Sequence, residues 1–213
     1  MPTAKSNTTR RKAAQSVQER PAAQVVQFPL LIPKPRQTRP EEVKVMLCEC
    51  AKDAVHVRLM PDPDAMCRIM DETYGSAGWE YRYYYMNGTT LCGSGVLNPI
   101  TGTYPRKDES APDGRFRLKD PKGWEKKGSF IASVARWGAG SDVLQLPSMT
   151  FSSEQVIIDP VTKAGKNPND PPVVVGYRLH STLTVDKLLR AEDGRIVGVQ
   201  MLQGDRKVVW QAE

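Results

Sequence analysis

No apolar run in the chain approaches the ~18 to 20 residues that a membrane-spanning helix needs. The best candidate, VVQFPLLIP at residues 25–33, is short and interrupted by proline. The opening MPTAKSNTTRRK lacks the apolar core of a secretory signal, so an intracellular, cytoplasmic protein is expected. Histidine is confined to His56 and His180, and the chain has neither a GxxxxGK[ST] phosphate loop nor a GxSxG nucleophile elbow. That removes the common routes to nucleotide hydrolysis and acyl transfer, and no cofactor is expected. Cysteine is limited to Cys48, Cys50, Cys67 and Cys92. In a reducing compartment these stay thiols, and the CxC pair followed by His56 and Cys67 fits no standard zinc spacing, so buried thiols are expected.

What the chain does have is unevenly distributed charge. Its 213 residues are 39% hydrophobic and include 17 prolines and 16 glycines, enough for one ordinary domain diluted by loops and tails. Residues 1–40 carry eight Lys or Arg against Glu19 alone, a net of +7, which leaves −1 for all that follows. The stretch 79–140 holds ten basic and six acidic residues between net-acidic flanks. Two basic regions, a tail and part of the folded middle, are therefore candidates for polyanion binding through phosphate neutralisation and counterion release.

Three regions follow from composition and patterning. Residues 1–39 lack a sustained apolar period and read as a disordered basic tail. In residues 40–150, Pro40-Glu41-Glu42 is expected to start a helix with Val43, Met46, Leu47 and Cys50 on one face. VHVRLM then reads as a strand, and Asp62-Pro63-Asp64 opens a second helix carrying Met66, Ile69, Met70 and Tyr74. WEYRYYYM and TTLCGSGVL around Asn87-Gly88 read as a β-hairpin. Trp79, Tyr81, Tyr83 and Tyr85 then share one face and Glu80, Arg82, Tyr84 and Met86 the other. GRFRLK reads as a third strand presenting Arg115, Arg117 and Lys119. A helix through EKKGSFIASVARWG is expected to bury Phe130, Ile131, Val134 and Trp137 and to expose Ser129, Ser133 and Arg136. Residues 151–213 read as a β-rich extension, packed on the core or on a neighbouring subunit. The class is α+β: an antiparallel hairpin sheet packed against helices, with extra C-terminal strands. On this reading Trp79, Tyr81 and Tyr83 belong to the core, and Arg82 and Tyr84 face outward.

Tyr74-Gly75-Ser76-Ala77-Gly78-Trp79, then NGTTLCGSGV, then Ser129-Phe130 and Trp137-Gly138-Ala139-Gly140 occur in an order that resembles the annealing domain of the Rad52 family, especially its short bacteriophage members. The resemblance covers about Pro40 to Leu146, and GYRL and DGRIVGVQML are similar to the closing segment of the phage proteins. It implies a non-enzymatic protein of a bacterial host cell's cytoplasm that forms a homo-oligomeric ring. Such a ring holds single-stranded DNA by its backbone in an outer basic groove and anneals complementary strands without ATP, in recombination and repair. A phage exonuclease or a host single-strand binding protein is the implied partner. One departure stands out: the family's Lys-Arg pair, seven and six residues before the glycine of WG, falls here on Ile131 and Ala132, although Arg136 matches the basic residue beside the tryptophan. The DNA-contacting candidates are therefore Arg82, Tyr84, Arg115, Arg117, Lys119, Lys122, Lys126, Lys127 and Arg136. Two other readings remain: an oligomer of the same fold that has lost annealing, and a metal-dependent enzyme built on Asp62, Asp64, Asp71 and Glu72.

Overall fold

The structure is a computed structural model that describes residues 32–113, 116, 120–165, 167 and 169–212. The compact unit begins at Pro33. It is a mixed α+β chain in which every strand pairing is antiparallel.

Pro40–Glu42 makes a single 3-10 turn and not a longer helix, because β1 (Val43–Cys50) follows at once and pairs with β2 (Ala54–Pro61). The apolar positions 43, 46, 47 and 50 satisfy a helical spacing, but they belong to a strand covered on both faces. Val43, Val45 and Leu47 pack into one core while Met46 packs into another. β2 divides the same way, with Val55, Val57 and Leu59 in the first core and Met60 in the second. β6 (Met149–Ser152) completes this sheet beside β2.

The first core lies between that sheet and a C-terminal meander of β9 (Leu183–Arg190), β10 (Ile196–Gln203) and β11 (Arg206–Gln211). Leu183, Ile196, Val199, Met201 and Val208 supply its apolar face. β7 (Ile158–Lys163) and β8 (Val173–Leu179) form a separate two-stranded ribbon. Its base is held by Ile158, Tyr177 and Leu179 against the first core.

The second core joins two helices to the hairpin sheet. α1 (Pro63–Tyr74) follows Asp62, with proline at its first position and Ala65, Met66, Ile69 and Met70 buried. β3 (Trp79–Met86) and β4 (Thr89–Val96) meet at Asn87 (φ 52°) and Gly88 (φ 82°), the paired left-handed residues of a type I′ turn. The strand expected over GRFRLK lies, apart from Phe116, outside the described residues, and the third strand of this sheet comes earlier in the chain. It is β5 (Arg106–Ser110), a run of charged residues paired with β4, in which Lys107 and Glu109 are half-buried and Arg106, Asp108 and Ser110 exposed. A charged edge strand needs only a ladder partner and one covered face. Phe116 lies outside any strand and stacks edge-on against Trp124, centroids 5.0 Å apart.

α2 (Pro121–Ala135) starts at Asp120, whose carboxylate accepts from the Gly123 N–H at 2.9 Å. It lies across β4 and β5 and buries Phe130, Ile131 and Val134. Ser129 and Ser133, expected on an open polar face, are fully buried. The reason is close approach. The Ser94 N–H donates to Ser133 Oγ at 2.9 Å, and that hydroxyl sits 2.6 Å from both Ser94 Oγ and the Lys107 carbonyl. Small hydroxyls thus replace apolar bulk where helix and sheet touch. A second outcome concerns the aromatic row. Trp79 is half-buried against the second core, but Tyr81 and Tyr83 are 44% and 41% exposed and are not core residues. β3 is the sheet's edge, and α2 covers β4 and β5, so the row overhangs. α3 (Ser141–Leu144) is a single turn after Gly140.

Candidate nucleic-acid interface

Strand alternation places Arg82 and Tyr84 on the sheet face away from α2. There Arg82 lies 3.5 Å from Glu80, which also accepts from Arg106 at 3.0 Å. Tyr84 lies over the bare backbone of Gly93, where an added Cβ would come within 3.5 Å of its ring. Burial, reinforced by a hydrogen bond with Asp108, raises its phenol pKa. Lys122, Lys126 and Lys127 are exposed on the first turns of α2. Lys127 borders a groove of about 300 Å³ lined by Met46, Met60, Trp124 and Ile131. Arg136 caps the other end of that helix, about 20 Å from Lys122 at ~1.5 Å per residue. Arg115, Arg117 and Lys119 lie outside the described residues. The described cations among the candidates are therefore spread over three places.

Arg136 alone among the described candidates lines an open cleft of about 780 Å³. Its cationic partners are not among the residues singled out as DNA contacts. Lys34 belongs to the segment read as tail, and Arg58 projects from β2 opposite the buried Val57 and Leu59. The Arg58 Nη1 donates to the Asp113 carbonyl at 3.0 Å, while its Nε is buried with no acceptor. Arg136 Nε lies 3.3 Å from Glu109 Oε1. Behind it, Lys107 Nζ sits 4.0 Å above the Trp137 ring and donates to the Arg136 carbonyl at 2.7 Å. Burial, then the charge of Arg136, lowers the Lys107 pKa. Trp137 in turn donates through Nε1 to Ser94 Oγ at 3.1 Å, which ties the cleft wall to the hairpin sheet.

Three cations thus meet two acids, Glu109 and Asp113, over a floor of small side chains that includes Ala111, Ala132 and Ala135. Ala132 puts a methyl group into this cleft, whereas Ile131 is buried and faces the apolar groove. The signal for Arg58 was present in the sequence as a charge interrupting VHVRLM. Lys34 was marked only as one of the eight cations of the basic tail.

The remaining chemistry-bearing groups are engaged elsewhere. Asp71 accepts from Trp79 Nε1 at 2.7 Å, Glu72 pairs with Arg36 at 2.7 Å, and Asp62 lies 3.5 Å from Lys44. No three His, Cys, Asp or Glu side chains among the described residues are placed to share a metal ion. Cys50 and Cys92 are buried, Cys48 and Cys67 half-buried, and burial pushes the Cys92 thiol up to about 12. Among the described residues no helix is long and apolar enough to cross a membrane. Compared with known proteins, the chain matches no family model, no curated protein and no solved structure.

Proposed function

We propose that the chain binds single-stranded DNA by its backbone and anneals complementary strands without ATP, acting in recombination or repair as a ring-forming oligomer of Rad52-like annealing subunits. The observation that supports this reading is the convergence of Lys34, Arg58 and Arg136 on one open cleft at the end of α2. Fixed cations on a rigid helix and strand grip phosphates in register and leave the bases free to pair. A phage exonuclease or a host single-strand binding protein would hand DNA to such a site.

A second reading has its own support. With Ile131 buried and Ala132 presenting a methyl group, the cleft lacks the adjacent cation pair of the resembled family, and an oligomer without annealing activity would carry that mark. One experiment separates the two. Complementary labelled oligonucleotides mixed with the purified chain, nucleotide-free, report pairing by energy transfer. Faster pairing supports annealing; unaccelerated pairing by a chain that still assembles supports the second reading of a structural or regulatory oligomer; no DNA binding at low salt refutes the first.

A further inference from the structure

Residues 34–38 form neither strand nor helix, and side chains from several elements hold them in place of a ladder. The Arg36 guanidinium donates through Nη1 and Nη2 to the two carboxylate oxygens of buried Glu42, at 2.8 and 2.7 Å, and through Nε to Glu72 of α1 at 2.7 Å. Such a fork fixes an angle as well as a distance. Two residues on, the Thr38 N–H and hydroxyl donate to the Asp142 carboxylate of α3 at 3.2 and 2.7 Å, and the Thr38 carbonyl accepts from Arg190, at the end of β9, at 2.7 Å. Pro35 is buried against Gly138, where an added Cβ would come within 3.2 Å of the proline ring.

The anchors of this strap are three carboxylates, Glu42, Glu72 and Asp142. The hydrogen bonds from Arg36 hold the Glu42 and Glu72 carboxyls below their ordinary range, so both are charged at neutral pH. Lys34 is in the opposite situation. It is exposed along the cleft that Arg58 and Arg136 also line, and it makes no ion pair among the described residues. Its backbone is next to buried Pro35 and two residues from the Arg36 fork, so the anchors decide where its ammonium group can reach.

We propose that Glu42, Glu72 and Asp142 are positioning residues for the cleft: by fixing residues 34–38 they keep Lys34 in place as a phosphate contact, and so these acids strengthen the binding of a polyanion. This assignment rests on the DNA reading of the cleft. Two effects of opposite sign compete at such residues. As bulk charge, an acid near the cleft repels phosphates. As an anchor, it settles the ordering of the lysine before the strand arrives, so that cost does not fall on binding. The fork and the Thr38 bonds place the acids against Arg36 and Arg190, which offset their field locally, and the anchoring effect wins.

The test measures the anisotropy of a labelled single-stranded oligonucleotide against salt, using the full chain, Glu72→Gln, Glu42→Gln/Glu72→Gln, and each of these with Lys34→Gln. Lys34→Gln alone is expected to lower the slope of log affinity against log salt by about 0.7. The double acid variant has two fewer negative charges, yet is expected to bind more weakly and to lose the same ~0.7 from its slope. In the Lys34→Gln background the acid substitutions are expected to leave the slope unchanged, which a general loss of the cleft would not do. Glu72→Gln alone spares the Glu42 fork and replaces a half-exposed side chain, so it reports on the strap even where the double variant unfolds. A spin label at Lys34→Cys, in a background of Cys48→Ser and Cys67→Ser, reads the strap without DNA and is expected to gain mobility when the acids are replaced. Tighter binding or an unchanged slope in the acid variants, an equal loss in the Lys34→Gln background, or unchanged label mobility would overturn the assignment alone. A parent chain that binds no oligonucleotide at low salt would overturn the DNA reading and this assignment with it.

Discussion

Replacing Arg58 and Arg136 together by glutamine removes two of the three cleft cations while keeping most of their side-chain volume. For single strands, each phosphate neutralised contributes about −0.7 to the slope of log affinity against log salt, so the double variant should lose about 1.4 from that slope. Between 50 and 200 mM salt its affinity should then fall by about sevenfold less than that of the parent chain. Contributions from the basic residues before Lys34 cancel, because they are common to both proteins. The assay is fluorescence anisotropy of a labelled oligonucleotide at four or five salt concentrations, with thermal unfolding of each variant to show that β2 and α2 are intact. Arg82→Gln is the matched control. It removes a cation that lies beside Glu80 on the far sheet face, so its slope should stay within error of the parent's. An unchanged slope in the double variant, or a slope lowered by Arg82→Gln instead, would refute the assignment of the cleft.

Two further outcomes test the frame that holds the cleft. Ser133→Ala should destabilise the fold by about 1–3 kcal/mol in denaturant titrations, because it leaves the buried Ser94 N–H and Lys107 carbonyl without the shared hydroxyl. Glu42→Gln should cost about 2 kcal/mol at neutral pH, as the charge-assisted bonds from Arg36 weaken. Its pH signature is specific: the Arg36 hydrogen bond holds the Glu42 carboxyl below its ordinary 4.5. That stabilisation is fully present above the unfolded value and is lost as pH falls through the folded one, so the variant's acid-unfolding curve should be flatter there. An identical curve would show that the segment before β1 is not tied down by this pair.

The hairpin was legible because one dipeptide dictates it. Asn87-Gly88 supplies two left-handed residues, and period-two alternation on either side fixes the register. α1 was legible through Asp62-Pro63 and its apolar spacing. β1 was misread for a physical reason: a strand sandwiched between two cores is apolar on both faces, and its residues then satisfy a helical spacing by accident. The same ambiguity runs the other way in α2. Ser129 and Ser133 look like a solvent face, yet both are buried, and Ser133 is the small side chain that bonds the helix to β4 and β5. β5 carries no apolar signal at all, since its place in the sheet depends on the ladder with β4.

The candidate site was only partly legible, and the pattern of misses is informative. Sequence reasoning ranks cations by local density, which favoured Lys122, Lys126 and Lys127 on an exposed helical turn. A cleft forms instead where distant segments meet, here the chain before β1, the middle of β2, the strand β5 and the last turn of α2. Arg58 is the residue most constrained by that meeting. It alternates with valine and leucine along a buried strand, so its backbone is held by a core, while its guanidinium emerges beside Arg136. A cation fixed in this way loses little side-chain entropy on binding, whereas each flexible lysine at the start of α2 must be ordered at the moment of contact. For a site that grips a polyanion repeatedly and releases it, one rigid guanidinium in a shared cleft outweighs several mobile charges scattered along a helix.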